Sequence, residues 1–249
     1  TPAQLQGLFS RISLGVKAHH TEAALNMLIP LLAPGGYIVS AQNGLNEIII
    51  ADRLGAENTV GCFVNYGADW LEPGRILYGN RAAVAVGELD GRMTDRVREI
   101  HALLCIIEPE AVLTDNIWGY LWGKLGYGAL LFATALTPLS MSDAMAQPDH
   151  RAVYQALGHE VMRLANAQNI RPLGFNGFDP HAFLKADKAG MNASLAAMVE
   201  HNRHTDKTHS GIWRDLAVRK RRTEVDAQVG LLVALGEKHG VKTPTLSRL

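Results

Sequence analysis

A chain of 249 residues holds one large domain or two modest ones, and 47% hydrophobic with 19% charged residues is the composition of an ordinary globular enzyme. Twenty-four basic residues balance twenty-four acidic ones, so no net field favours nucleic acid or a membrane surface. The two cysteines, Cys62 and Cys105, each lie in an apolar run without metal-ligand spacing; they read as buried thiols of a reducing, cytoplasmic compartment, not as a disulfide framework.

The opening residues carry no secretory or transit pattern. Ile12 to Val16 alternates with period two and predicts a strand with Lys17 at its end. Thr21 offers an N-cap hydroxyl, and Leu25, Leu28, Ile29 and Leu32 give the following helix one apolar face. Pro34-Gly35-Gly36 is expected to break that helix. Tyr37 to Ala41 predicts a second strand ending at Gln42-Asn43-Gly44, Leu45 to Leu54 a helix, and Thr59 to Tyr66 a third strand. That order implies a parallel sheet with crossover helices. Ile76 to Tyr78 and Ala82 to Val86 read as a hairpin appended to the sheet, Met93 to Ile106 as a helix, and Ala111 to Leu113 as a last short strand.

From Asp115 onward the alternating runs vanish and helices are predicted over 116–135, 151–169, 182–188, 193–201 and 223–239, with Gly240 suited to a left-handed C-terminal cap. The longest apolar stretch, Leu125 to Leu139, starts beside Lys124, contains Pro138 and falls short of the roughly 20 residues a membrane span needs, so it reads as a buried helix. The chain therefore divides into an α/β part, 1–114, and an all-helical part, 115–249.

Four places can carry chemistry. Gln42-Asn43-Gly44 stands at the carboxyl end of a strand, where open α/β sheets bind ligands, although Asn-Gly is also a plain turn dipeptide. Lys124, in Trp122-Gly123-Lys124-Leu125, opens an apolar helix; an ammonium in such surroundings titrates nearer neutrality and serves as a proton donor, while the alternative is a lysine that snorkels to water. Arg219 to Arg222, between Asp215 and Glu224, reads as a solvated basic surface or as a nucleic-acid patch. His201, His204 and His209 with Asp206 offer zinc-like spacing without a cysteine or a catalytic zinc signature, and a polar inter-helix loop explains them without a metal.

In order and spacing the chain resembles the ketopantoate reductase (2-dehydropantoate 2-reductase) family along nearly its whole length. The resemblance rests on Val16-Lys17-Ala18, Gln42-Asn43-Gly44-Leu45, Pro73-Gly74-Arg75-Ile76, Gly87-Glu88 and Trp122-Gly123-Lys124-Leu125. It continues through Asp215, Arg222-Thr223-Glu224-Val225-Asp226, Gly230 and Gly240-Val241-Lys242-Thr243-Pro244. It implies a Rossmann-type domain that binds NADP(H), here without its N-terminal part, then a helical domain like that of 6-phosphogluconate dehydrogenase, with the active site in the cleft between them. It implies a small 2-oxo acid substrate, reduction chemistry like that of pantothenate biosynthesis, and a homodimer through the helical domain. By motif position Lys124 would be the general acid, Asn43 would contact the nicotinamide and the substrate, and Lys17 and Gly67 would line the cofactor site. Glu224 would hold cofactor or organise the lysine, and Ser210 would bind the substrate carboxylate.

The sequence departs from the family pattern in two ways. Members that reduce ketopantoate carry asparagines one and two turns after the lysine; here those positions are Gly128 and Phe132, so polar recognition of the substrate is lost and a more apolar 2-oxo acid is expected. Gly211, with Ser210 one residue earlier, aligns with the family's substrate serine. The second departure is that no Gly-x-Gly-x-x-Gly occurs anywhere in the chain, whereas the family places that phosphate-binding loop on its first strand–turn–helix. The match begins about 55–60 residues into a usual member, the length of about one βαβ unit plus a strand. Two functions follow as expectations: a nicotinamide-dependent reductase, or a non-catalytic remnant that serves as a helical oligomerisation or binding module.

Overall fold

The computed structural model describes residues 4–78 and 82–249. The chain forms two compact units, Thr1–Gly67 with Arg81–Trp118, and Ala68–Asn80 with Gly119–Leu249. In chain order the elements are β1 (Phe9–Leu14), α1 (Thr21–Leu28), β2 (Leu32–Ser40), α2 (Asn46–Leu54) and β3 (Thr59–Val64). The hairpin strands β4 (Ala68–Glu72) and β5 (Arg75–Tyr78) follow, then β6 (Val84–Glu88), α3 (Asp95–Ile107) and β7 (Val112–Leu113).

The first unit is a five-stranded sheet in the order β1-β2-β3-β6-β7, parallel except where β6 runs antiparallel to β3. Successive residues of a strand face opposite sides, and the two cores show it. Ile38 packs with Leu14, Leu25, Leu28 and Ile50 beneath α1 and α2, while its neighbour Val39 packs with Val60, Cys62, Val84, Val86, Val97 and Ile100 beneath α3. Cys62 is buried as expected; Cys105 is only half-buried and lies 3.6 Å from His101 Nε2.

The structure corrects several sequence expectations. Ile76–Tyr78 does not pair forward with Ala82–Val86. The Pro73-Gly74 turn, with Gly74 at φ +78°, folds β5 back onto β4. Val84–Glu88 instead enters the main sheet, buried along its whole length, because a continuous apolar run suits a strand covered on both faces. Pro34-Gly35-Gly36 lies inside β2, not after a helix: Phe9 faces Leu32 but Arg11 already faces Tyr37, so these residues are the surplus of a bulge, with Gly35 at φ +72°. Thr21 is the first residue of α1, not its cap.

Two glycines make a socket in the sheet. Gly61 and Gly87 face each other across β3 and β6. A Cβ on Gly61 would come within 2.7 Å of Ile117 Cγ1, and one on Gly87 would collide with the Thr114 carbonyl and meet Ile117. The fully buried Ile117 starts α4 (Ile117–Thr134).

The second unit holds the remainder of α4, then α5 (Met141–Ala146), α6 (Arg151–Ala167), α7 (Pro180–Leu184) and α8 (Lys188–Arg203). Last come α9 (Gly211–Trp213), running on into a π-helical turn at Arg214–Val218, a second π-helical turn at Asp226–Gly230, and α10 (Leu231–His239). The sequence reading misses α5 and α9, starts α8 five residues late and places α7 two residues late. Gly240 closes α10 in the left-handed conformation at φ 68°, as expected. Tyr127 and Asn202 bond across α4 and α8 in the interior, Asn202 Nδ2 donating to the phenol oxygen at 2.8 Å. The buried Glu160 carboxylate of α6 accepts the backbone N–H groups of Thr245 and Leu246 at 2.9 Å. No helix among the described residues is long and apolar enough to cross a membrane.

Glu88, 2% exposed at the end of β6, ties α3 to the sheet. Arg96 donates to it from Nε at 2.7 Å and Nη2 at 2.5 Å, and Thr94, which caps α3, donates its hydroxyl. Burial pushes the Glu88 carboxyl up, but the hydrogen bonds from Arg96 and Thr94 and the Arg96 charge outweigh it and hold the group below the usual 4.5. A carboxyl depressed on folding stabilises the native state above its unfolded pKa and loses that contribution as pH falls through the folded value. Glu88→Gln is therefore expected to cost about 1–3 kcal/mol at pH 7. The gap to the unsubstituted chain should close below about pH 4, as measured by urea unfolding at both pH values.

Candidate active site

The first unit gathers three of the expected residues at one edge. β1, β2 and β3 are parallel, so their carboxyl ends share that edge, and Lys17, Asn43 and Gly67 each stand three residues past a strand end. Lys17 and Gly67 are half-buried, whereas Asn43 is exposed. Gly44 turns the chain at φ +98°, a conformation only glycine adopts freely.

Beneath these loops lies a dry chain of side-chain hydrogen bonds. Gln42 Nε2 donates to the Val16 carbonyl at 2.8 Å and to Thr21 Oγ1 at 2.8 Å. The Thr21 hydroxyl donates to Asn46 Oδ1 at 2.7 Å, and Asn46 Nδ2 donates to the Asn43 carbonyl at 2.7 Å. Thr21, Gln42 and Asn46 are 0%, 4% and 2% exposed. The sequence reading missed Thr21 and Asn46; the signal was their offset, four residues after Lys17 and three after Asn43. Gln42 Oε1 is buried with no hydrogen-bond partner among the described residues. A buried acceptor left without a donor is costly.

In the second unit α4 carries Lys124, Gly128 and Phe132 at four-residue spacing, hence along one stripe. Lys124 is half-buried and Phe132 is 5% exposed. The helix is sunk into its unit by Gly123, where a Cβ would collide with the Leu173 carbonyl, and by Gly126, pressed against Phe178 and Met162. Gly128 is the opposite case, because a Cβ there meets nothing within 4 Å. Gly211 has the same open surroundings.

Ser210, 2% exposed, caps α9: its hydroxyl oxygen accepts the Trp213 N–H at 3.1 Å, which leaves the hydroxyl hydrogen to donate. Glu224, 7% exposed, lies just ahead of the second π turn and not within the first turn of a helix, its carbonyl accepting from Gln228 N at 3.0 Å. Helical π turns recur at functional sites, and the two here flank the loop from Arg219 to Val225.

The basic run is not a patch of free charge. Asp215, 2% exposed, accepts from Arg219 Nη1 at 3.1 Å and Arg221 Nε at 2.8 Å, and Arg222 pairs with Asp226. Among the described residues no three His, Cys, Asp or Glu side chains come together as a metal site. His204 bonds the Glu200 carbonyl, and His209 bonds Thr208 and the Pro138 carbonyl while its ring packs 4.0 Å from that of Trp213.

The two glycines of α4 should respond oppositely to alanine. Gly128→Ala fills open space and gains helix propensity, so stability should rise by about 0.5–1 kcal/mol. Gly123→Ala forces α4 off the Leu173 backbone and should cost about 1–3 kcal/mol or more. Thermal melts of both variants check the pair, and a destabilised Gly128→Ala would show that the space is not open.

The family model described as ketopantoate reductase PanE/ApbA matches residues 2–91, and its C-terminal counterpart matches residues 116–249. A 2-dehydropantoate 2-reductase of Archaeoglobus fulgidus is 27% identical over 228 residues, which span 91% of this chain and 69% of that protein. The crystal structure of 2-dehydropantoate 2-reductase from Geobacter metallireducens superposes with a TM-score of 0.79 at 22% identity, covering 98% of this chain and 76% of that one. The ternary structure of D-mandelate dehydrogenase with NADH and anilino(oxo)acetate superposes with a TM-score of 0.80 at 17% identity, covering 99% and 76%. With both halves of the chain matched by the family's own models and the Rossmann-like sheet followed by helices in place, the protein belongs to the ketopantoate reductase family of oxidoreductases.

Proposed function

We propose that the protein reduces the carbonyl of a small, apolar 2-oxo acid with NADP(H), and that ketopantoate is not its preferred substrate. The observation that carries this reading is the stripe on α4. One turn past Lys124 there is open space at Gly128, and two turns past it the buried phenyl ring of Phe132. Neither can hydrogen-bond a substrate hydroxyl, and a site without such a partner does not select for one. The D-mandelate dehydrogenase that superposes on this chain is described with anilino(oxo)acetate, an oxo acid with an aromatic group.

In this reading Lys17, Asn43 and Gly67 would hold the nicotinamide nucleotide at the carboxyl edge of the parallel strands. A nicotinamide nucleotide bound there would supply the hydride for the carbonyl carbon. The Lys124 ammonium donates a hydrogen bond to the carbonyl oxygen and passes its proton there as negative charge develops. Ser210, whose oxygen is occupied by the Trp213 N–H, donates its hydrogen to the substrate carboxylate, and the open position at Gly211 admits that carboxylate. Glu224, buried near the second π turn, holds cofactor or orients the lysine.

The test is a titration of the 249-residue chain with NADPH and NADH followed by fluorescence, then steady-state turnover of ketopantoate, 2-oxo-3-methylbutanoate and phenylglyoxylate. An apolar acid should exceed ketopantoate in kcat/KM by about tenfold or more, the scale of a lost or gained side-chain contact. Gly128→Asn should narrow that ratio. Lys124→Ala should lower kcat by at least about a hundredfold, the usual contribution of a positioned acid, with nucleotide affinity unchanged. Highest turnover on ketopantoate would overturn the substrate assignment. Binding of neither nucleotide would overturn the reductase reading for these 249 residues and leave a helical binding module.

A further inference from the structure

We propose that Thr21, Gln42 and Asn46 form a positioning relay that holds the Lys17 loop and the Asn43 loop in one fixed arrangement for catalysis. The assignment of catalytic consequence rests on the reductase reading; the mechanical coupling rests on the hydrogen bonds alone.

The relay runs outward from Gln42 to both carbonyl ends, with the longer arm passing through Thr21 and Asn46. Gln42 spends both amide hydrogens, one on the Val16 carbonyl and one on Thr21. Thr21 passes its own hydrogen to Asn46, and Asn46 passes one to the Asn43 carbonyl. Hydrogen bonds aligned head to tail polarise one another, and a dry site strengthens each. The direction is chemically forced. Turning the Gln42 amide over would set its oxygen against the Val16 carbonyl oxygen, and an asparagine with its amide reversed would face the Asn43 carbonyl with a second oxygen. Both ends of the relay are main-chain carbonyls lying past the ends of β1 and β2, beside Lys17 at one end and at Asn43 itself at the other.

Strand pairing does not need this tie. β1 and β2 are already joined by their ladder as far as Leu14 and Ser40, and the Ala41 N–H closes on the Leu14 carbonyl at 2.9 Å. What the relay adds is beyond the ladder, where the backbone has left the sheet. It fixes the carbonyl of Asn43 while leaving that residue exposed. A site held to within about half an ångström needs such support behind the residues that touch the ligand. Thr21 is the middle link, so its loss should release both loops together.

The experiment compares the full chain with Thr21→Val, which keeps the shape and removes both hydrogen bonds, and Thr21→Ser, which keeps the hydroxyl. Nitrogen-15 relaxation reads backbone order at Lys17, Asn43 and Gly44, with β3 amides as the internal reference. In Thr21→Val the order parameters of both loops should fall from near 0.85 to about 0.6 or below, the range of flexible backbone, while β3 keeps its values. Under turnover the same variant should lose about tenfold or more in kcat with KM for the oxo acid within about twofold, the pattern of lost alignment and not lost binding. Thr21→Ser should restore both readouts. Loosening at residues 20–22 alone, a uniform loss of order across the sheet, or unchanged kcat in Thr21→Val would each overturn the relay. A chain with no turnover on any 2-oxo acid refutes the reductase reading instead, and the relaxation data then decide the relay by themselves.

Discussion

Where the long helix α4 begins is decided by two absent side chains. Gly61 and Gly87 meet across β3 and β6, and the room left by their missing Cβ atoms is filled by Ile117. Proteins pack at crystal-like density, so a side chain admitted this closely can adopt few positions. The next part of the same helix is held just as tightly, with Gly123 against the Leu173 backbone, Gly126 against Phe178 and Met162, and Trp122 and Leu130 fully buried. On a helix so enclosed, a half-buried lysine and a glycine with open surroundings stand out physically. The packing is looser there than along the rest of the helix.

Buried carboxylates solve the charge problem the same way in three separate places. Glu88 receives Arg96 and Thr94, Asp215 receives Arg219 and Arg221, and Glu160 receives two backbone N–H groups near the chain's end. An unpaired carboxylate in such surroundings would be far too costly, and several donors to one anion make it tolerable. The outcome is mechanical. Each carboxylate ties down a segment of the chain, and the arginines around Asp215 shape the loop ahead of Glu224.

Much of this was legible in the sequence, and the exceptions share a cause. A period-two run located β1 and helical spacing located α1, because those patterns record which face is buried, and the readings of β2, β3, α2, α3, α4 and α6 also hold. Lys17, Asn43 and Gly67 came together through the family resemblance, and the parallel strands set them at equal offsets along one edge. The pairing of β5 was not, since Ile76–Tyr78 suits a partner on either side and only the Pro73-Gly74 turn decides. Thr21 shows the limit most clearly. A threonine ahead of an apolar-periodic run is a good cap by every local criterion, yet its hydroxyl bonds Asn46, twenty-five residues away. Capping and tertiary bonding demand the same chemistry, so only the fold distinguishes them. The π turns around the Asp215–Glu224 loop are illegible for a similar reason: they follow from what the loop must reach.

The β4–β5 hairpin lies in sequence between two strands of the sheet but groups with the helical unit. On the ribosome it emerges before β6, yet the helices it belongs with are finished only after the remaining two thirds of the chain, about 10–30 s later at usual elongation rates. A lone two-stranded hairpin is at best marginally stable in water. Leu71, Ile76 and Leu77, exposed even in the finished protein, are thus uncovered throughout that interval. The hairpin is made well before the helices it groups with. Neither unit can be cut from the gene as one continuous stretch without losing or stranding it.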